Sequence, residues 1–207
     1  MVAGARGKGR PKQAETAEID LAIHRAALDV LLKQGAAATM NAVAEAAGLS
    51  RKSLYARYPN KTELFLDVIR GLLAGVSELA YDTRGTAEER LYNYVIAALE
   101  MISLPQSLAI QRLLTLDPAY IAALKTEMLG ATHRIFFNPL DALLREAVAS
   151  GELAIADITA TTQAVIRLIF AESAAIDGRA ASPDPALRIA YAAFLTQLMT
   201  RGILPRA

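Results

Sequence analysis

Apolar and polar residues follow one another along this chain with a helical period almost throughout. Ile19, Ala22, Ile23, Ala26, Ala27, Val30 and Leu31 fall on one stripe, the pattern of an amphipathic helix from about Ala14 to Gln34, ended by Gly35. His24 lies off that stripe and reads as a surface residue. Two short segments come next. Thr39 offers a capping hydroxyl to a helix over 40–47, whose Val43, Ala44 and Ala47 make a small apolar face. Gly48 suits the left-handed end of that helix, and Leu49 plugs the turn. Ser50 can cap a second short helix that begins Arg51-Lys52-Ser53, turns Leu54 inward and stops at Pro59. A fourth helix opens at Asn60-Lys61, with Glu63 completing a capping box. Leu64, Phe65, Val68, Ile69 and Leu72 carry it towards Leu79, which makes it a mechanical link between the first third of the chain and the rest.

Beyond Thr86 the pattern stays helical. Thr86 and Glu89 form a second capping box ahead of Leu91, Tyr94, Val95, Ala98 and Leu99. Pro105 breaks that element, a short helix covers about Gln106 to Leu116, and Asp117-Pro118 opens a long one to about Ala149, with a candidate interruption near Asn138-Pro139. Ser150-Gly151 marks a turn. Two helices of about 158–176 and 184–201 follow, separated by the Gly/Pro/Asp-rich loop 177–185. Both are apolar on nearly all sides, and a helix of that kind must be buried on most of its circumference.

Composition narrows the class. Of 207 residues, 54% are hydrophobic but only 6% aromatic, so the core is built of Ala, Leu, Ile and Val, which favours closely packed helices. The chain has no cysteine, which excludes disulfides and thiolate metal sites and fits an intracellular, cytoplasmic location. No apolar run reaches the roughly 18–20 residues that cross a bilayer, and no signal peptide is seen, so no membrane role is expected. The net charge of +1 hides an asymmetry. Residues 1–70 hold 11 basic and 7 acidic residues, and the remainder 11 and 14. Arg6, Lys8, Arg10 and Lys12 lie among glycines in a segment, 1–13, that reads as a disordered basic arm able to follow phosphates.

The two short helices suit a steep crossing about a small contact at Ala44. Arg51, Lys52 and Ser53 then occupy the exposed first turn of the second helix. In a helix-turn-helix that turn meets base edges in the major groove. The run Ala44-x-x-x-Gly48-Leu49-Ser50-x-x-x-Leu54-Tyr55-x-x-Tyr58-Pro59-Asn60-Lys61 resembles the DNA-binding domain of the TetR family of bacterial repressors, over roughly residues 14 to 70. The resemblance implies an all-α fold of about nine helices: a three-helix DNA-binding domain (14–60), then a helical effector-binding and dimerisation domain (61–207). It implies a homodimer through the last two helices, a double-stranded DNA operator, and a cavity among the central helices for a small effector.

Carried over position by position, the resemblance makes Thr39, Asn41, Arg51, Lys52, Ser53, Tyr55, Arg57 and Lys61 the DNA-binding candidates. Arg51 is placed for bidentate guanine contact, Tyr55 for a phosphate, and Thr39 and Lys61 for phosphates at helix N-termini. Lys52 stands where the family often has a small residue, and Tyr58 where it more usually has Phe; Tyr58 is expected to pack. Candidate effector residues are Tyr92, Tyr94, Met101, Arg112, Tyr120, Met128, His133, Phe136 and Phe137. Their mix favours a largely apolar effector, with Arg112 or His133 for any polar group. Enzyme chemistry finds no support: two histidines without metal spacing, no nucleotide loop and no nucleophile elbow, hence no cofactor or metal. The expectation is a repressor released from its operator by an effector. The alternatives are a helical ligand-binding protein with vestigial DNA contacts, and an architectural DNA binder.

Overall fold

The computed structural model describes residues 13–76, 78–116, 118–177 and 184–201. The expected basic arm, most of the 177–185 loop and the side chain of Arg112 lie outside them. No strand occurs among the described residues. The chain divides into two compact units, Met1–Val68 and Ile69–Ala207.

In the first unit α1 (Gln13–Gln34) buries Ile23, Ala26, Ala27, Val30 and Leu31, whereas Ala22 of the expected stripe is exposed. α2 (Met40–Ala46) packs on it and buries Met40, Val43 and Ala44. Gly48 follows with φ +67°, a left-handed conformation that glycine adopts without steric cost. This lets the Gly48 amide reach Glu45 C=O at 3.1 Å and the Leu49 amide reach Ala44 C=O at 2.9 Å, closing the helix end. The chain thereby reverses into α3 (Arg51–Tyr55), anchored by the fully buried Leu54. α4 (Lys61–Gly75) begins in this unit with Leu64, Phe65 and Val68 buried. Asn60 caps it through Glu63 N–H at 2.9 Å, but Glu63 returns to the Asn60 side-chain amide instead of its backbone.

α4 stops at Gly75, short of the expected Leu79. The Arg134 guanidinium donates to Leu73 C=O at 2.8 Å and Val76 C=O at 3.0 Å, supplying partners for carbonyls that another helical turn would have used. In the second unit α5 (Ala87–Ile102) is central. It starts with a complete capping box between Thr86 and Glu89. Gly85 makes the box possible: at φ +96°, a Cβ there would stand 2.4 Å from Glu89 Oε2. Its Leu91, Tyr94, Val95, Ala98, Leu99 and Ile102 stripe enters the core. α6 (Pro105–Leu116) and α7 (Pro118–Thr132) pack together. α8 (Asn138–Ala149), α9 (Ile158–Asp177) and α10 (Pro185–Arg201) each lie against α5.

The break expected near Asn138-Pro139 is instead a π turn at His133–Phe137, joining α7 to α8 without leaving helical geometry. Asn138 N–H bonds His133 C=O, five residues back. Pro139 lacks the amide that an α-helix would bond to Ile135 C=O, and its ring would crowd that carbonyl. Widening the preceding turn keeps the helix going past it.

Candidate nucleic-acid interface

The recognition turn is built from its cap outward. Ser50 accepts from Ser53 N–H at 3.1 Å and shares a 2.8 Å hydrogen bond with the Ser53 hydroxyl. Thr39 caps α2 in the same way, accepting from Ala42 N–H at 3.2 Å. Thr39, Asn41, Arg51, Lys52, Ser53 and Tyr55 are all exposed, Tyr55 by 48% although it is a large aromatic. Among the described residues neither Arg51 nor Lys52 has an ion-pair partner, so two cations are presented on the first turn of α3 while Leu54 holds its other side in the core. Lys61 begins α4, half-buried, its ammonium 5.9 Å from the Phe65 ring centre. Arg57 is placed differently from the other candidates: its guanidinium binds the Asp20 carboxylate of α1.

Three further residues meet just past α3. Tyr58 O–H donates to Asp67 Oδ2 at 2.7 Å, and His24 Nε2 stands 3.0 Å from both oxygens. His24 is therefore no plain surface residue; its ring is half-buried because α1, the 56–60 turn and α4 meet around it. Burial, reinforced by the Asp67 carboxylate, pushes the Tyr58 phenol well above the usual tyrosine range. Sequence reasoning missed this cluster, and its one local signal was a tyrosine at the position where the resemblance expects phenylalanine.

The effector candidates divide. Tyr94 is fully buried, its hydroxyl donating to Phe136 C=O at 2.8 Å. Phe136 is buried too and meets Phe170 edge-on at 5.3 Å. Met101 and Phe137 pack against the same core, and His133 is exposed, stacked on Phe137 at 4.6 Å. Tyr120 is buried and Met128 half-buried on α7. Tyr92 lines an open groove of about 760 Å³ between α5 and α10, with Asp82, Glu88, Asn93, Thr196 and Gln197. At the start of α5 the buried Arg90 bonds Glu146 at 2.8 Å and Glu152 at 3.1 Å, and Glu152 also takes Ala87 N–H, which holds its carboxyl below the usual range.

Comparison with known proteins places this geometry. The sequence model of the TetR family of bacterial regulatory proteins matches residues 23–68, and that of the AefR-like transcriptional repressor C-terminal domain matches residues 89–188. The chain belongs to the TetR family. It is a transcriptional regulator with an N-terminal helix-turn-helix DNA-binding domain and a C-terminal ligand-binding domain. No curated protein sequence matches it. A TetR regulator from Agrobacterium tumefaciens superimposes with a TM-score of 0.71 at 21% identity, over 87% of this chain and 92% of that one. The fatty acid degradation regulator FadR from Bacillus halodurans gives 0.66 at 18%, over 96% and 100%. FadR from Bacillus subtilis, solved in complex with stearoyl-CoA, gives 0.58 at 16%, over 89% and 99%. At these identities the structural likeness concerns the fold. No helix among the described residues is long and apolar enough to cross a membrane.

Proposed function

We propose that this TetR-family regulator is a repressor that binds a double-stranded operator as a homodimer and is released by a small, largely apolar effector. The observation that carries the reading is the exposed Arg51-Lys52 pair on the capped first turn of α3, which has no ion-pair partner among the described residues. A guanidinium there suits the bidentate acceptors of guanine, and the exposed Tyr55 phenol suits a phosphate. Thr39 and Lys61, at the starts of α2 and α4, add contacts at helix N-termini, and Asn41 reaches a base edge or the backbone. Ser53 and Arg57 serve by holding the turn, one through Ser50 and the other through Asp20.

Dimerisation is supported by large apolar side chains left in solvent on the last two helices: Leu168 on α9, and Leu187, Ile189 and Phe194 on α10, the last 56% exposed. Such a concentration on two neighbouring elements suits a twofold partner. Two recognition helices would then read half-sites about 34–36 Å apart, or a multiple of that.

The test is a fluorescence-anisotropy titration against DNA tiles from the protein's own gene neighbourhood, with excess random competitor. One tile retained at moderate salt establishes a sequence-specific regulator. Equal binding to every tile favours an architectural protein, and no binding leaves a ligand-binding protein with vestigial DNA contacts. Adding stearoyl-CoA or another apolar acyl ligand to the retained complex then tests release, for which a coupling on the order of 1–3 kcal/mol, or 5- to 150-fold in affinity, is typical.

A further inference from the structure

α3 spans only five residues, Arg51–Tyr55. A helix of that length does not hold itself, because its nucleation cost is spread over too few hydrogen bonds. Its pose must come from outside. Ser50 fixes its start and Leu54 its buried side, but neither sets the direction in which the chain leaves it. That is done at 56–58, where Ala56, Arg57 and Tyr58 amides bond Lys52 and Leu54 carbonyls at 2.9–3.0 Å. Here two polar ties converge: Arg57 on Asp20 of α1, and the Tyr58 phenol on Asp67 of α4 and His24 of α1. The phenol has one hydrogen, given to Asp67. His24 completes the triangle by donating from Nε2, which lies 3.0 Å from both acceptors. Each of the three polar atoms thus meets the other two.

We propose that Tyr58, Asp67 and His24 form a positioning lock for the recognition helix, setting the angle at which Arg51, Lys52 and Tyr55 meet the duplex. The inference rests on the DNA-reading role proposed above and deepens it. The lock depends on the phenol oxygen, an atom that phenylalanine lacks, so Tyr58→Phe deletes it while keeping a ring that the position accommodates. A tilted recognition helix still carries its charges to the phosphates, so the loss falls on sequence discrimination.

The experiment compares wild type, Tyr58→Phe, Asp67→Ala and Asp67→Asn as full chains. Operator and random DNA are titrated side by side, and amide hydrogen exchange is followed at residues 56–58 without DNA. For Tyr58→Phe and Asp67→Ala we expect operator affinity to fall about three- to tenfold, the tenfold limit being about 1.4 kcal/mol, with random-DNA affinity within about twofold. The 56–58 amides exchange faster in both variants. Asp67→Asn keeps an oxygen to accept the phenol hydrogen and restores discrimination and protection. Equal loss on both DNAs, or unchanged discrimination and exchange in Tyr58→Phe, overturns the lock. A wild type without sequence preference sinks the repressor reading, and the exchange comparison then decides the lock alone.

Discussion

Tyr94→Phe separates two roles for the aromatic side chains of α5. As an effector residue, Tyr94 would present its hydroxyl to a cavity; in the structure the hydroxyl donates to Phe136 C=O at 2.8 Å, in full burial, with Tyr81 edge-on to the ring at 5.4 Å. Phenylalanine keeps the ring and its packing and removes one hydrogen bond. A neutral hydrogen bond contributes about 1 kcal/mol net, and a buried acceptor stripped of its donor costs about 1–3 kcal/mol, so a loss of about 1–2 kcal/mol is expected. For a chain of this size that is a fall in Tm of about 2–8 °C, read by circular dichroism at neutral pH. Alkaline melts provide a second reading. Burial raises the Tyr94 phenol above its ordinary value of 10.0. The folded state therefore holds the proton where the unfolded chain releases it. This contribution is complete below about pH 10 and lost above it, by up to about 1.4 kcal/mol per pH unit. The variant lacks that loss, so the gap between wild type and Tyr94→Phe should close as pH rises past 10. An unchanged Tm, a gap independent of pH, or a change in effector affinity at unchanged stability would refute the core assignment.

Other substitutions probe the remaining parts. Arg51→Ala should abolish preference for the operator over random DNA, whereas Lys61→Ala should weaken both alike; uniform loss in Arg51→Ala, seen in parallel titrations, contradicts that division. Ala44→Leu places three extra carbons at a site on α2 that is 2% exposed, and should destabilise the first unit by about 1–3 kcal/mol while leaving the second unit's melt in place. Phe194→Glu puts a charge on the exposed apolar side of α10 and should give monomers in sedimentation velocity; a dimer of unchanged mass would place the interface elsewhere.

What the sequence reveals of this molecule is what depends on neighbours a few residues away. The Thr86–Glu89 box, the glycine closure at Gly48 and the Ser50 cap are local chemistry, and each lies where the residues alone point. So do Arg51 and Lys52, since being exposed on the first turn of a capped helix needs no distant partner. What the sequence leaves unstated shares one cause. α4 ends early because Arg134, some sixty residues on, supplies partners for its last carbonyls. Arg57 has the charge and spacing of a DNA contact, but Asp20, 37 residues back, takes it. His24 lies off the apolar stripe, so periodicity assigns it to water, yet Tyr58 and Asp67 claim it from 34 and 43 residues away. A helical period states which way a side chain faces; it does not state what stands there. An aromatic on the inward side of α5 likewise looks the same in sequence whether it meets a cavity or, as Tyr94 does, a carbonyl. The recognition helix shows both kinds of information at once. Its cations are legible because they face outward, while the angle at which it presents them rests on side chains drawn from α1 and α4. On the proposed reading the base contacts and the geometry that makes them selective have separate determinants, so substitutions in α1 or α4 should alter operator choice without touching DNA.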